Sequence, residues 1–498
     1  MSFLSALSKG LDDVADLART DDTWSRRRWL LGGAALALLG ESPSKAAPPV
    51  GSTRWLINRI TMGWTPEEQL LADTLGYHGY LEYHLNHTAI DDSATTLRLA
   101  PYTLLNATPY QLKGFASSIT TNQLNQATFI RATYSKRQLF ERMVEFWTDH
   151  LNIDVKKADN PWIKLVDDRD VIRAHALGNF EALITASARS PSMLQYLDNA
   201  ISVVGNPNEN YARELMELHT LGVSGGYTQQ DVVEVARAFT GWTVDDSDTP
   251  SQNTFIFNSN LHDTDSKLVL GQTIPAGGGY SDGTDVIKLL VDHPSTAHYI
   301  ALKLCQRFYG YDPPATLVNS VAATFTSTDG DIKSMLRTLF YSADPAAAPL
   351  KLKRPFHLVI SGLRSTKAEV GGGAFDFGSQ LRQRLQAAGH EPFQWGTPDG
   401  YPDKLEHWSG LIIARWNFAA ALMNNDIANI VVDTTAMLGP TTTADSVSDR
   451  INQVMFGGTM NATERIRIRD FMLPGIPTEA DKREAIGLAI ASPGFQWY

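Results

Sequence analysis

The chain has 498 residues, a formal net charge of -11 and a single cysteine, Cys305. That acidic balance, with no basic block, argues against a nucleic-acid partner, because neutralising phosphate with Lys and Arg supplies most of such affinity. One cysteine excludes an internal disulfide, and its place on the apolar side of Ala301–Phe308 reads as a buried, inert thiol.

From the N-terminus, residues 1–46 read as a twin-arginine signal peptide. Ser25-Arg26-Arg27-Arg28 precedes the uncharged apolar run Trp29–Gly40, and Ser44-Lys45-Ala46 follows with small residues at the positions a signal peptidase reads. The run is too short for a permanent span, which needs about 20 apolar residues. The expectation is a periplasmic or extracellular protein, exported already folded, with no stable membrane span after signal cleavage.

Residues 47–498 follow the helical period and predict one large, mainly α domain. Helices are expected at 54–61 and 65–88 with Thr65 as N-cap, at 108–150, 170–186, 209–221 and 228–241, then at 285–310, 314–326, 330–342 and 351–364. Further helices are expected at 375–389, 405–424, 444–456, 462–473 and 478–491. The β signal is confined to 253–258 and 267–270, which predict one small hairpin inserted near 250–285.

Several constellations could carry chemistry. Phe146-Trp147-Thr148-Asp149-His150 closes a long helix, with His150 on the face of Met143, Phe146 and Trp147. Asp149 aligns with Glu145 and Glu141 on a face that reads as solvated. In Asn208–Gly222, at about 100° per residue, Asn210, Arg213, Glu214 and Glu217 share a polar stripe and His219 falls on the far side. Exposed, that stripe is an ordinary solvated face with helix ion pairs. Buried, it leaves an acid free for a divalent metal or for proton transfer, with Arg213 orienting one carboxylate. Glu214 and Glu217 sit at a separation similar to glycosidase carboxylates but on one side, so an opposing acid is required. Asp231 and Glu234 are the nearest in sequence. Gly222-Val223-Ser224-Gly225-Gly226 matches the nucleophile-elbow pattern, but helices on both sides make it a connector. His262 and Asp263, in a loop with Asp265 and Lys267, could bind a metal or simply shape a turn. Trp395–Tyr401 and Trp408 place aromatics beside Asp399, as a sugar-binding rim or a rigid corner would.

Together these stretches resemble the DUF1800 family of exported bacterial proteins of unknown function. The carriers are Leu56–Ile60, Phe146–His150, Asn208–Gly222 through Tyr227, Ala238–Trp242, His262-Asp263 with Lys267, His293–Ala297, Pro398–Pro402 and Ser492–Gln496. The pattern departs at Asp265, where the family calls for glycine. The resemblance implies an exported helical protein whose gene often neighbours a second exported protein similar to sulfatases. Two functions follow as expectations. One is a carboxylate- or metal-dependent hydrolase acting on extracellular polysaccharide. Its catalytic groups would be Glu214, Glu217, Arg213 and His150, and its substrate contacts Asn210, Trp147, Tyr227, Asp399, Tyr401 and Trp408. The other is a non-catalytic scaffold for the exported sulfatase-like partner.

Overall fold

The computed structural model describes residues 52–371 and 378–498, so the expected signal and its Arg26 and Arg27 lie outside the described residues. Helices dominate, as the apolar period predicts. Among the described residues no helix is long and apolar enough to cross a membrane. Thr65 caps Pro66–Leu85 by accepting from the backbone of Glu68, and Thr228 forms a reciprocal capping box with Asp231 ahead of Gln229–Ala238.

Several long predicted helices are divided: 170–186, where Asn179 caps Phe180–Ala188, and three others. The 108–150 region breaks into Pro109–Lys113, Ser117–Tyr134 and Gln138–His150. At the second break the Ser135 hydroxyl donates to Asp92 and accepts from the backbone of Arg137, taking the chain out of the helical ladder. The 285–310 region divides at His293, because Pro294 opens Pro294–Phe308 from the N1 position. The third break separates Leu405–Trp408 from Ile412–Met423.

The β insertion is two hairpins rather than one. Phe255–Phe257 pairs with Trp242–Val244, and Lys267–Val269 pairs with Gln272–Ile274. Leu270 and Gly271 both take positive φ, so the chain turns back directly after Val269 and never reaches 253–258.

One buried apolar cluster gathers Leu56, Trp147, Phe180, Leu215 and Leu304, and a second gathers Phe129, Leu363, Leu422 and Ile486. A buried charge cluster draws on elements of both. Glu145 lies 3.0 Å from Arg142, 2.6 Å from Arg307 and 2.5 Å from Arg354, and Arg354 also holds Asp149 at 2.6 Å. Glu141 pairs with Arg173 at 2.5 Å. The acidic face read as solvated is therefore paired throughout. Burial alone would push the Glu145 carboxyl up, but Arg307, Arg354 and Arg142 together outweigh it and hold it well below the usual range.

Glu145→Gln should destabilise the fold by about 3–5 kcal/mol, because it strands buried guanidiniums; urea unfolding measures this. The folded pKa lies below the unfolded one, so this carboxylate's contribution is complete above the unfolded value of about 4.3. It is lost as pH falls toward the folded value. The variant should accordingly lose stability less steeply than the wild type below about pH 5.

Candidate active site

A cleft of about 1060 Å³ opens over this cluster. The end of Gln138–His150 supplies Phe146, Asp149 and His150, and one face of Pro294–Phe308 supplies Tyr299, Lys303 and Arg307. Spacing of four brings those last three onto one stripe. Arg354 and the loop Asp399–His407 complete the walls. The loop is pinned to the helix end. Asn152 donates to the carbonyls of Trp395 and Thr397, each at 2.8 Å. Gly400, at φ +71°, packs so tightly that a Cβ would collide with the carbonyl oxygen of Asp149, so only glycine fits. The Oδ1 of Asp399 accepts from Trp395 Nε1 at 2.9 Å and Thr397 Oγ1 at 2.6 Å, which orients an otherwise exposed carboxylate.

The electrostatics differ along the cleft. Burial lowers the Lys303 ammonium to about 8, against the opposing pull of Asp149, Asp399 and Asp403. Lys303 forms no ion pair or hydrogen bond among the described residues, and its Nζ lies 5.4 Å from the centre of the Tyr299 ring. Burial raises Asp149 although Arg354 and Arg307 oppose it. Lys351 holds Asp403 at 2.8 Å. His150 donates its Nε2 hydrogen to the carbonyl of His219 at 3.0 Å, and burial keeps both imidazoles neutral, with His219 lowered to about 3.

The acidic end of the polar stripe does not line the cleft, but its charges act on two residues that do, Asp399 and Tyr299. Glu209–Glu214 continues as a π-helical turn over Leu215–Thr220, and such turns recur at functional sites. Glu214 and Glu217 are half-buried. Burial raises Glu214, and the neighbouring charges of Glu217 and Asp399 raise it further. Tyr227 donates to Glu217 at 3.3 Å. Tyr299, raised to about 12 by burial, feels both Glu217 and Asp399, so it stands between the stripe and the cleft. Asp399 is thus an acid from outside the stripe whose charge acts on Glu214. Asp231 is used in its capping box and in accepting from the backbone of Leu270, and Glu234 is paired with Arg237.

Other expected roles are corrected. Arg213 pairs with Glu209 at 2.9 Å and with Gln229 at 3.0 Å, four residues back and across the connector, and orients neither Glu214 nor Glu217. Asn210 turns toward Asp198 at 3.4 Å. Trp147 and Trp408 are fully buried, their indoles spent on the carbonyls of Ala176 and Pro402, so neither meets a substrate. Tyr401 does line the cleft, although its hydroxyl is given to the carbonyl of Glu391. His262 and Asp263 are not a metal pair. The imidazole is held between Thr240 and Asp282, and both Asp263 oxygens are taken by Arg237. Among the described residues no three His, Cys, Asp or Glu side chains are placed to hold a metal. Cys305 is buried, which pushes its thiol up to about 12. Ser224 sits exposed between helices, and Gly222 serves packing, since a Cβ there would press on the Tyr299 ring at 2.9 Å.

Sequence reasoning missed Lys303, Arg307, Arg354 and Glu145. The available signal was charge inside apolar surroundings: Lys303 and Arg307 in Ala301–Phe308, and Arg354 directly before Pro355–Ser365.

In comparison with known proteins, the family described as "Protein of unknown function (DUF1800)" matches residues 55–497. No curated protein and no solved structure matches the chain.

Lys303 should react as a free amine near pH 8, whereas exposed lysines need a pH close to about 10.4. Pulse acetylation across a pH series, read by peptide mass spectrometry, checks this. A midpoint for Lys303 in the range of the other lysines would contradict its desolvation.

Proposed function

The chain belongs to the DUF1800 family, and because that family carries no assigned reaction we propose one from the cleft: an exported hydrolase that cleaves an extracellular glycan by carboxylate acid–base chemistry. The observation that carries this reading is Glu214. Burial, Glu217 and Asp399 all push its pKa upward, which is how a carboxylic acid is kept able to donate a proton. In this reading Glu214 gives its proton to the glycosidic oxygen as the bond to the sugar breaks. Asp399, oriented by Trp395 and Thr397, takes a proton from the attacking water. Glu217, held by Tyr227, supplies charge that raises Glu214 against the opposing pull of Arg213. Tyr299, Tyr311, Tyr401 and His407 line the cleft, and aromatic faces of this kind suit sugar rings. The chemistry needs no metal, so a divalent ion is not part of the proposal.

Asp399→Asn and Glu214→Gln should each lower kcat by about 10²–10⁴-fold, measured as reducing-end release from a panel of soluble polysaccharides, with the thermal midpoint retained. Glu217→Gln should shift the alkaline limb of the pH–activity profile to lower pH, because Glu214 then loses its proton more readily. Full activity in all three variants would leave the scaffold for an exported sulfatase-like protein as the better account.

Export by the twin-arginine route belongs to the same proposal, placing the enzyme in the periplasm or outside the cell. Changing Arg26 and Arg27 together to Lys should strand the protein in the cytoplasm, as read by cell fractionation. Normal export of that variant would remove the twin-arginine assignment.

A further inference from the structure

The floor of the cleft is more cationic than its own ion pairs require. Lys303, Arg307 and Arg354 line it with Asp149 and Asp403, so three cations face two carboxylates, and Arg142, Lys351 and Glu145 lie behind them. Each of those carboxylates already has a guanidinium or ammonium partner. Lys303 has none, although it lines the open volume. Arg307 is 4% exposed, lines the same volume, and its Nε has no hydrogen-bond partner. Arg354 likewise keeps an unpartnered Nε. Surplus buried charge is costly unless it is paired. The mouth has the opposite sign: Asp312, Asp399 and Glu406 are exposed there with Lys404.

We infer that this floor is an anion subsite, centred on Lys303 and Arg307, that takes the carboxylate or sulfate group of an acidic sugar. The inference rests on the cleft being the glycan site and adds the substrate class. A sugar bearing one anionic group places it over Lys303 and Arg307, where it offsets the one excess positive charge of the lining. Its uncharged hydroxyls then meet the acidic mouth, where carboxylates accept hydrogen bonds from them. A neutral glycan leaves the floor uncompensated. Guanidinium and ammonium together suit either oxyanion, since Arg presents planar donors and Lys a compact charge.

Calorimetric titration of the full chain with an oligogalacturonate tetramer, its carboxyl-reduced neutral counterpart and a sulfated galactose tetramer tests this. The wild type should bind at least one anionic tetramer ten or more times more tightly than the neutral one. Tight binding of the first alone identifies a carboxylate, of the sulfated tetramer alone a sulfate ester, and of both a subsite that reads charge. Lys303→Met should abolish the preference and Lys303→Arg should retain most of it. Equal affinity for all three, no binding of any, or a preference unchanged in Lys303→Met would overturn the inference. Anion binding that persists in Glu214→Gln while the wild type cleaves no glycan would remove the hydrolase reading and leave the subsite standing. Cleavage of neutral glycans without any anion preference would do the reverse.

Discussion

Glu145 is held by arginines from its own helix, from Pro294–Phe308 and from the segment leading into Pro355–Ser365. A carboxylate so little exposed is poorly hydrated, and its ionised form depends on the guanidiniums around it. Conversely, each guanidinium tolerates burial only while that carboxylate is there. The geometry of the cleft follows from this mutual requirement. It fixes the angle at which Lys303 and Arg307 face Asp149, and it ties elements of both apolar cores to one point. Hydrophobic packing alone, being non-directional, would leave those elements free to slide.

The loop over the cleft is set by a different and equally exact constraint. Gly400 rests against the carbonyl of Asp149, and Asn152 spans two carbonyls of the same loop. Asp399 is therefore referred to the end of the helix that carries Glu145. Asp399 and Asp149 thus share a single support, and the separation between their backbones does not depend on long flexible side chains.

Much of the fold was legible because it is local. The apolar period, the Thr65 and Thr228 caps and Pro294 at a helix start are read within a few residues of one another. The site was legible only in part. Phe146–His150 and Pro398–Pro402 stand out as dense clusters of aromatic and polar groups, and they do meet. Glu145 and Arg354 were not legible as partners, because they lie 209 residues apart and a charge on a helix face reads as solvated by default. His219 carries a contact that helical spacing does not show. At α-helical spacing it faces away from the carboxylates, but Leu215–Thr220 winds as a π turn, with the hydroxyl of Thr220 bonded to the carbonyl of Leu215 and the N–H of Leu221 to Met216. The wider winding leaves the His219 carbonyl free to accept from His150, and 100° arithmetic cannot anticipate that.

Tyr299 shows why the connector Gly222–Gly226 carries glycine where a nucleophile elbow would also carry it. The ring approaches Gly222 so closely that any side chain there would displace it. From that position Tyr299 feels Glu217 and Asp399, and its ring lies beside the Lys303 ammonium. An aromatic ring is suited to this place because its face attracts the cation while its bulk stands beside acids whose charge adds to burial in raising its own hydroxyl. Lys303, so placed, feels Asp149, Asp399 and Asp403 without forming an ion pair to any of them; a direct pair with Asp399 would use up the ammonium and the carboxylate alike. The missing side chain at 222 makes room for the ring at 299, and the ring stands among opposite charges that do not pair across one small volume.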